Sequence, residues 1–233
     1  MKEWATGLFK KIGKNVVNSL HPFWGNYKYL LKENYITQHV DLGWWEGHIN
    51  NIVLIQYQKI LSGRVADFGC NHGACTILSA RNSEITDIVG FDLNKRAISI
   101  ASRLLYESNE SEEVKKKVRF IITHLSDIKW PDDYFDSAFM FHVLEHIYPE
   151  DRSKIFSEIT RVMKKDAWFI ITVPFGHAYD DGRQHVAFFC VESLTKLMKE
   201  LGFSVVDCYR DQRTDAHTPK GHDCLNIVCR VIK

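Results

Sequence analysis

The chain predicts an α/β fold, and two observations carry that prediction. Apolar runs ending in a carboxylate lead through tight turns into helical patterns, and near the end two apolar runs flank a polar segment and read as a closing hairpin. The first unit is Val65-Ala66-Asp67-Phe68-Gly69-Cys70-Asn71-His72-Gly73, after which a helical pattern runs from Ala74 to Arg81. Gly69 and Gly73 allow positive φ and close approach of backbone to a ligand, and Asn71 is the non-glycine residue that best tolerates the left-handed region. Asp67, at the strand end, suits a cationic or hydroxylated group and would not welcome a triphosphate.

The second unit repeats the pattern. Ile88-Val89-Gly90-Phe91-Asp92 again ends in an acid, about 20 residues beyond the turn, where a carboxylate meets the two ribose hydroxyls of a nucleoside. Two acids at successive strand ends describe an adenosine site. The helix from Lys95 to Tyr106 follows, capped by Asn94 or Asp92, so Asp92 carries a capping reading beside the ribose one.

At these residues the chain resembles the class I S-adenosylmethionine-dependent methyltransferases, and within them the small-molecule group related to the quinone-biosynthesis methyltransferases. The resemblance spans roughly residues 64 to 174. The family's glycine loop is an acid followed by alternating glycines; here those positions hold Gly69, Asn71 and Gly73, so the middle glycine is replaced. Val118-Arg119-Phe120-Ile121-Ile122 looks like the third strand, and Asp127 stands where the family places an acid that accepts from the adenine amino group. The stretch from Pro131 to Ile147 looks like the fourth strand and its loop, closing on Leu144-Glu145-His146. The resemblance implies a Rossmann-like, doubly wound, seven-stranded and mostly parallel sheet with an antiparallel last strand. It implies S-adenosyl-L-methionine as cofactor, S-adenosyl-L-homocysteine as product, and Asp67, Gly69, Cys70, Asn71, Gly73, Asp92, Leu93, Asp127, Phe141 and His142 as donor-binding positions.

Asp151 to Met163 carries Ile155, Phe156, Ile159, Val162 and Met163 at helical spacing and leads into the apolar run Trp168 to Pro174. Most relatives place Pro-Gly-Gly between the two; here Lys164-Lys165-Asp166-Ala167 stands there, so a different turn is expected. Phe203 to Tyr209 and Leu225 to Ile232 form the closing hairpin. Residues 1–60 read as a mostly helical preface to the methyltransferase domain at 61–233. The preface is dense in aromatics, among them His21-Pro22-Phe23-Trp24, Tyr27, Tyr29, Tyr35 and Trp44-Trp45. These either pack as core or form a lid that brings Trp44 and Trp45 to the substrate.

A chain of 233 residues, 45% hydrophobic and 25% charged, buries a sizeable core as one enzyme-sized unit. A net charge of +1 provides no global electrostatic case for nucleic acid or a membrane surface. The basic run Lys115-Lys116-Lys117, with Glu110, Glu112 and Glu113 just ahead, reads as a solvated surface loop. Six cysteines without a Cys-x-x-Cys pair indicate reduced thiols and a cytoplasmic setting. The expected state is a monomer or homodimer acting on a small molecule, without a stable membrane anchor.

Methyl transfer needs an acceptor lone pair aligned with the sulfur–methyl bond and water excluded; a hydroxyl acceptor also benefits from a base, for which histidine is suited. His185, His177 and His146 are the candidates, the first two ranked above the third. Asp180, Asp181 and Arg183, with Gln184, His217, Lys220, His222 and Asp223, suit a hydroxylated or anionic acceptor such as a sugar or nucleotide-linked sugar. No metal is expected. The competing readings are a non-catalytic S-adenosylmethionine-binding regulator and a nicotinamide-dependent oxidoreductase, whose Gly-x-Gly-x-x-Gly spacing the loop lacks.

Overall fold

The structure, a computed structural model, describes residues 41–178, 185–213 and 223–233. Seven strands form one sheet: β1 (Gly63–Phe68), β2 (Ile85–Asp92), β3 (Val118–Ile122), β4 (Phe135–Phe141), β5 (Met163–Pro174), β6 (Phe203–Asp211) and β7 (Cys224–Val231). Their order is β3-β2-β1-β4-β5-β7-β6. Every pair from β3 across to β5 is parallel, and β7 runs antiparallel between β5 and β6. This is the expected doubly wound sheet. The hairpin also forms, with its second strand inserted beside β5 rather than left at the edge.

The described helices are α1 (Leu42–Glu46), α2 (Ile49–Gln56), α3 (Ala74–Ser79), α4 (Lys95–Glu107), α5 (Glu112–Lys117), α6 (Pro149–Val162) and α7 (Val191–Glu200). α6 starts where Pro149 presets the helical φ and Glu150 and Asp151 meet the positive end of the helix dipole, and it buries Ile155, Phe156, Ile159 and Val162. On the sheet, Phe68 stacks on Phe91 and meets Phe135 and Phe169 edge-on, with centroid distances of 5.8 to 6.5 Å. Each such buried ring contributes about 1.5–3 kcal/mol relative to exposure. Val53 and Leu54 of α2 are buried in a cluster with Val65, Ile88, Phe139 and Ile170, so this part of the preface packs directly on the sheet.

Two local expectations are corrected. The lysine run is the last turn of α5 rather than a loop: Ser111 caps the helix, Glu112 and Glu113 occupy its first turn and the three lysines its last, which matches charge to dipole at both ends. The segment 164–167 is a bulge within β5 rather than a separate turn. Phe135 pairs with Met163 and Ser137 with Trp168, and the excess chain is absorbed at Asp166, at φ 61°, whose carbonyl accepts from the Arg230 guanidinium at 2.7 Å. Among the described residues, no helix is long and apolar enough to cross a membrane.

β1 lies between β2 and β4, so the chain reverses its winding there, and the loops after the carboxyl ends of β1, β2, β4 and β5 share one rim. Ligands of open α/β sheets bind at that point.

Candidate active site

The turn after β1 depends on two glycines. Gly69 and Gly73 have φ of 87° and 80°, and a Cβ on them would come within 2.2 Å of Val143 Cγ2 and 2.5 Å of Phe120 Cζ. Asn71 takes positive φ at 48°, as expected of the residue in place of the family's middle glycine. Asp67 is buried, and its Oδ2 accepts from the Thr76 hydroxyl of α3 at 2.6 Å. Burial pushes its carboxyl up to about 7, with the Thr76 bond opposing and the Asp92 charge adding. Cys70 is buried beside it, and burial raises its thiol as well.

Asp92 joins two loops. Its Oδ2 accepts from the Asn71 N–H and its Oδ1 from the Asn94 N–H, both at 2.8 Å. The cap of α4 is Asn94, whose Oδ1 accepts from the Arg96 and Ala97 N–H groups at 2.9 and 3.3 Å, so Asp92 is not the helix cap. Burial raises the Asp92 carboxyl, and the backbone N–H groups of Asn94, Asn71 and Leu93 oppose that. Three backbone donors leave the carboxylate lone-pair capacity for a ribose hydroxyl, and Leu93 beside it is half-buried. The loop after β3 folds back here: the Thr123 N–H donates to the Asp92 carbonyl at 2.9 Å, and the Thr123 hydroxyl donates to the Asp127 carbonyl at 3.0 Å. The Asp127 carboxylate is exposed and ion-paired to Lys129, which lowers its pKa.

Phe141 is buried at the end of β4, and His142 follows at φ 56°, its N–H donating to the Thr172 carbonyl of β5 at 2.9 Å. The chain then makes a 3₁₀ turn, Leu144–His146, whose Glu145 and His146 are 1% and 5% exposed. The Glu145 carbonyl accepts from the Val186 and Ala187 N–H groups at 2.9 and 3.2 Å, which pins the segment after β5 onto this turn. His185 is thereby brought to His146, with ring centroids 5.1 Å apart. Glu145 Oε1 lies 3.5 Å from His142 Nδ1 and 4.0 Å from His146 Nε2. Burial raises the Glu145 carboxyl, but His142 and His146 outweigh it and hold it below the usual carboxylate range.

His177 is exposed and stacks on Phe188 at 3.9 Å, with Phe188 in turn 6.5 Å from His185. Of the three base candidates, His146 and His185 therefore meet directly, and His177 stands apart on the far side of Phe188. Trp45 is buried against Ala74 and Leu78 of α3, and half-buried Trp44 meets it edge-on at 5.0 Å. The candidates Asp180, Asp181 and Arg183, like Gln184, His217, Lys220, His222 and the preface up to residue 40, lie outside the described residues.

Sequence reasoning missed two residues at and just after the turn that follows β1. Thr76, a hydroxyl on an otherwise apolar helix face nine residues after Asp67, offered a faint signal. His72 offered none, because a histidine in a polar loop reads as exposed. It is 3% exposed, lies 5.0 Å edge-on to Trp45, and neither ring nitrogen has a hydrogen-bond partner. Burial pushes its imidazole down to about 4, a contact with its own backbone opposing.

A doubly wound sheet with a glycine turn, and with a buried acid and a half-buried one at adjacent strand ends, is the arrangement in which α/β proteins bind nucleosides. Residues 66–171 match the family model described as a methyltransferase domain. No curated protein matches the chain. Among solved structures, a S-adenosylmethionine-dependent methyltransferase from Methanosarcina mazei is 19% identical, with a TM-score of 0.63 over 77% of this chain and 97% of its own. One from Aquifex aeolicus is 16% identical, with a TM-score of 0.63 over 89% and 98%. The [4+2]-cyclase SpnF is also 16% identical, with a TM-score of 0.63 over 79% and 80%. At these identities the structures establish the fold. The family match over residues 66–171, which include the turns after β1 and β2, marks a methyltransferase domain with S-adenosylmethionine as its cofactor.

Proposed function

We propose that this methyltransferase acts on a hydroxyl or amine of a polar small molecule, with a sugar or nucleotide-linked sugar as the acceptor class. The observation that carries the reading is the convergence of Glu145, His146 and His185 on the rim of the sheet, beside the loops that hold Asp67 and Asp92. An apolar acceptor would gain nothing from a buried carboxylate flanked by imidazoles. A hydroxyl acceptor gains the means to shed its proton as its oxygen bonds to the methyl carbon, while the sulfur–methyl bond breaks and its electron pair returns to sulfur. In sequence, Asp180, Asp181, Arg183 and Gln184 supply acidic, basic and amide groups that suit such an acceptor.

On this reading Asp92 holds the ribose hydroxyls, Asp67 the ammonium end of the donor, and the turn at 69–73 approaches the donor with its backbone. The test is formation of S-adenosylhomocysteine with a panel of sugars, nucleotide sugars, amines and apolar phenols. Turnover is expected with polar hydroxylated members. His185→Ala should lower kcat by about 100-fold or more while leaving donor affinity near wild type. Turnover confined to apolar acceptors, or a His185→Ala variant with full activity, would contradict the reading.

A further inference from the structure

We propose that Phe188 is the platform on which the acceptor's sugar ring stacks, so that it decides which hydroxyl reaches His185; this rests on the acceptor class and the base proposed above. Among the described residues, Tyr106 of α4 and Phe188 are the two exposed phenyl-type side chains, and Phe188 is 40% exposed. One exposed apolar side chain needs no explanation by itself. The surroundings of this one supply the argument.

Phe188 is held outward by its neighbours. Phe189 is buried, it bridges Phe175 in parallel, and its carbonyl accepts from the Gly176 N–H at 2.8 Å. Two and one residues before Phe188, the Val186 and Ala187 N–H groups donate to the Glu145 carbonyl. Bridged chain turns successive side chains to opposite faces, so with Phe189 directed into the core, Phe188 faces solvent beside the carboxyl end of β5. Its ring is the third in a row of four, His146, His185, Phe188 and His177, with successive centroids 5.1, 6.5 and 3.9 Å apart. His177 stacks on one face of Phe188, at an interplanar angle of 29°. The exposure therefore falls on the rest of the ring.

A pyranose has an apolar face of C–H groups and a rim of hydroxyls. Carbons that bear oxygen polarise their hydrogens positively, and the face of a phenyl ring is the negative part of its quadrupole, so the two attract. The surface here is divided in the same way: an open phenyl face, then the His185 imidazole, then buried Glu145. Carbon atoms in contact lie about 3.5–4.0 Å apart. A six-membered ring laid on Phe188 at that distance turns its rim hydroxyls toward a His185 ring centred 6.5 Å from that of Phe188. The backbone anchors on either side hold the platform in place before the acceptor arrives, which lowers the ordering cost of binding. A flat aromatic acceptor would stack as well, yet it would bring no rim of hydroxyls to the polar half of the surface. Stacking acts equally on bound acceptor and transition state, so Phe188 is a specificity residue that works through KM.

The test uses Phe188 variants of the full-length protein. The acceptors are the methyl glycosides of glucose, galactose and mannose, with uridine and phenol for comparison. Turnover is read as S-adenosylhomocysteine formation, and contact by saturation-transfer NMR on the S-adenosylhomocysteine-loaded protein. For the glycoside that wild type methylates best, Phe188→Ala should raise KM by about 10-fold or more while kcat stays within about 3-fold. Phe188→Trp should stay within about 3-fold of wild type, and Phe188→Leu, apolar but without a π face, should follow Phe188→Ala. Affinity for S-adenosylhomocysteine should not change across the set, and Tyr106→Ala should keep the wild-type KM. In wild type, saturation should reach the C–H protons of one face of the sugar, a result that decides the matter even if a variant fails to fold. An unchanged KM in Phe188→Ala, a loss confined to kcat, a Phe188→Leu variant equal to wild type, or saturation spread over both sugar faces overturns the platform and leaves the functional reading standing. Phe188-dependent methylation of uridine or phenol, with glycosides indifferent to the substitution, overturns the sugar-ring assignment. If wild type neither binds nor methylates any glycoside, the platform and the sugar reading fall together.

Discussion

Asp67, at the end of β1, and His72, in the turn after it, stand five residues apart, and burial displaces their pKa values in opposite directions. Asp67 titrates near about 7 when folded against 3.8 ordinarily, so it keeps a proton that the unfolded chain has lost. Its contribution to stability is full below pH 3.8 and declines as pH rises toward 7, by on the order of 4 kcal/mol. His72 titrates near about 4 against 6.5, so the unfolded chain holds the extra proton, and its contribution is full above pH 6.5 and lost as pH falls toward 4. That change is on the order of 3 kcal/mol. The two slopes offset each other across roughly pH 4 to 6.5. Denaturant unfolding as a function of pH should therefore show stability that rises with pH in Asp67→Asn and falls with pH in His72→Gln; parallel curves for the two variants would refute the assignment. The acids at 67 and 92 were legible in the sequence because strand ends at a switch point are read by position alone. His72 and Thr76 were not, since a contact across the loop, rather than local pattern, gives each its role.

At the scale of elements, α1 and α3 form the bond between preface and donor loop. Trp45 is buried on Ala74 and Leu78 and meets His72, so it supports the helix that follows the glycine turn. Trp45→Ala should cost about 3–5 kcal/mol in denaturant unfolding, as removal of a buried indole leaves a cavity. Deleting residues 1–45 should then lower stability by at least as much, rather than merely remove a cover. A truncated chain of unchanged stability would mean that Trp45 acts on the substrate alone. The helices and strands themselves followed from apolar periodicity. The bulge at 164–167 did not, because it arises from a register shift against β4 that only pairing reveals.

For the whole molecule, the loops that the proposed function assigns to the donor and the cluster of Glu145, His146 and His185 hang from one sheet, so donor binding should stabilise the fold as a unit. At S-adenosylhomocysteine concentrations near 100 times Kd, the gain is about 2.7 kcal/mol, which raises Tm by roughly 5 to 10 °C for a chain of this size. Asp92→Ala loses charge-assisted bonds to ribose of about 1.5–3 kcal/mol and should cut that shift by more than half at the same concentration. A Tm insensitive to S-adenosylhomocysteine, or a larger shift with NAD, would contradict the assignment.

By itself the sequence determined the seven-stranded, mostly parallel sheet through resemblance, the glycine turn and the two acids at strand ends. These are properties of local pattern: periodicity decides strand and helix, and a turn's φ demands decide its residues. Only the tertiary structure decided that Asn94 rather than Asp92 caps α4, that His185 and not His177 reaches Glu145 and His146, and that His72 is buried. Each of these depends on which segments, distant in sequence, are brought against one another. Backbone hydrogen bonds from Val186 and Ala187 to Glu145 set His185 beside His146, and no residue-type pattern along the chain encodes that pairing.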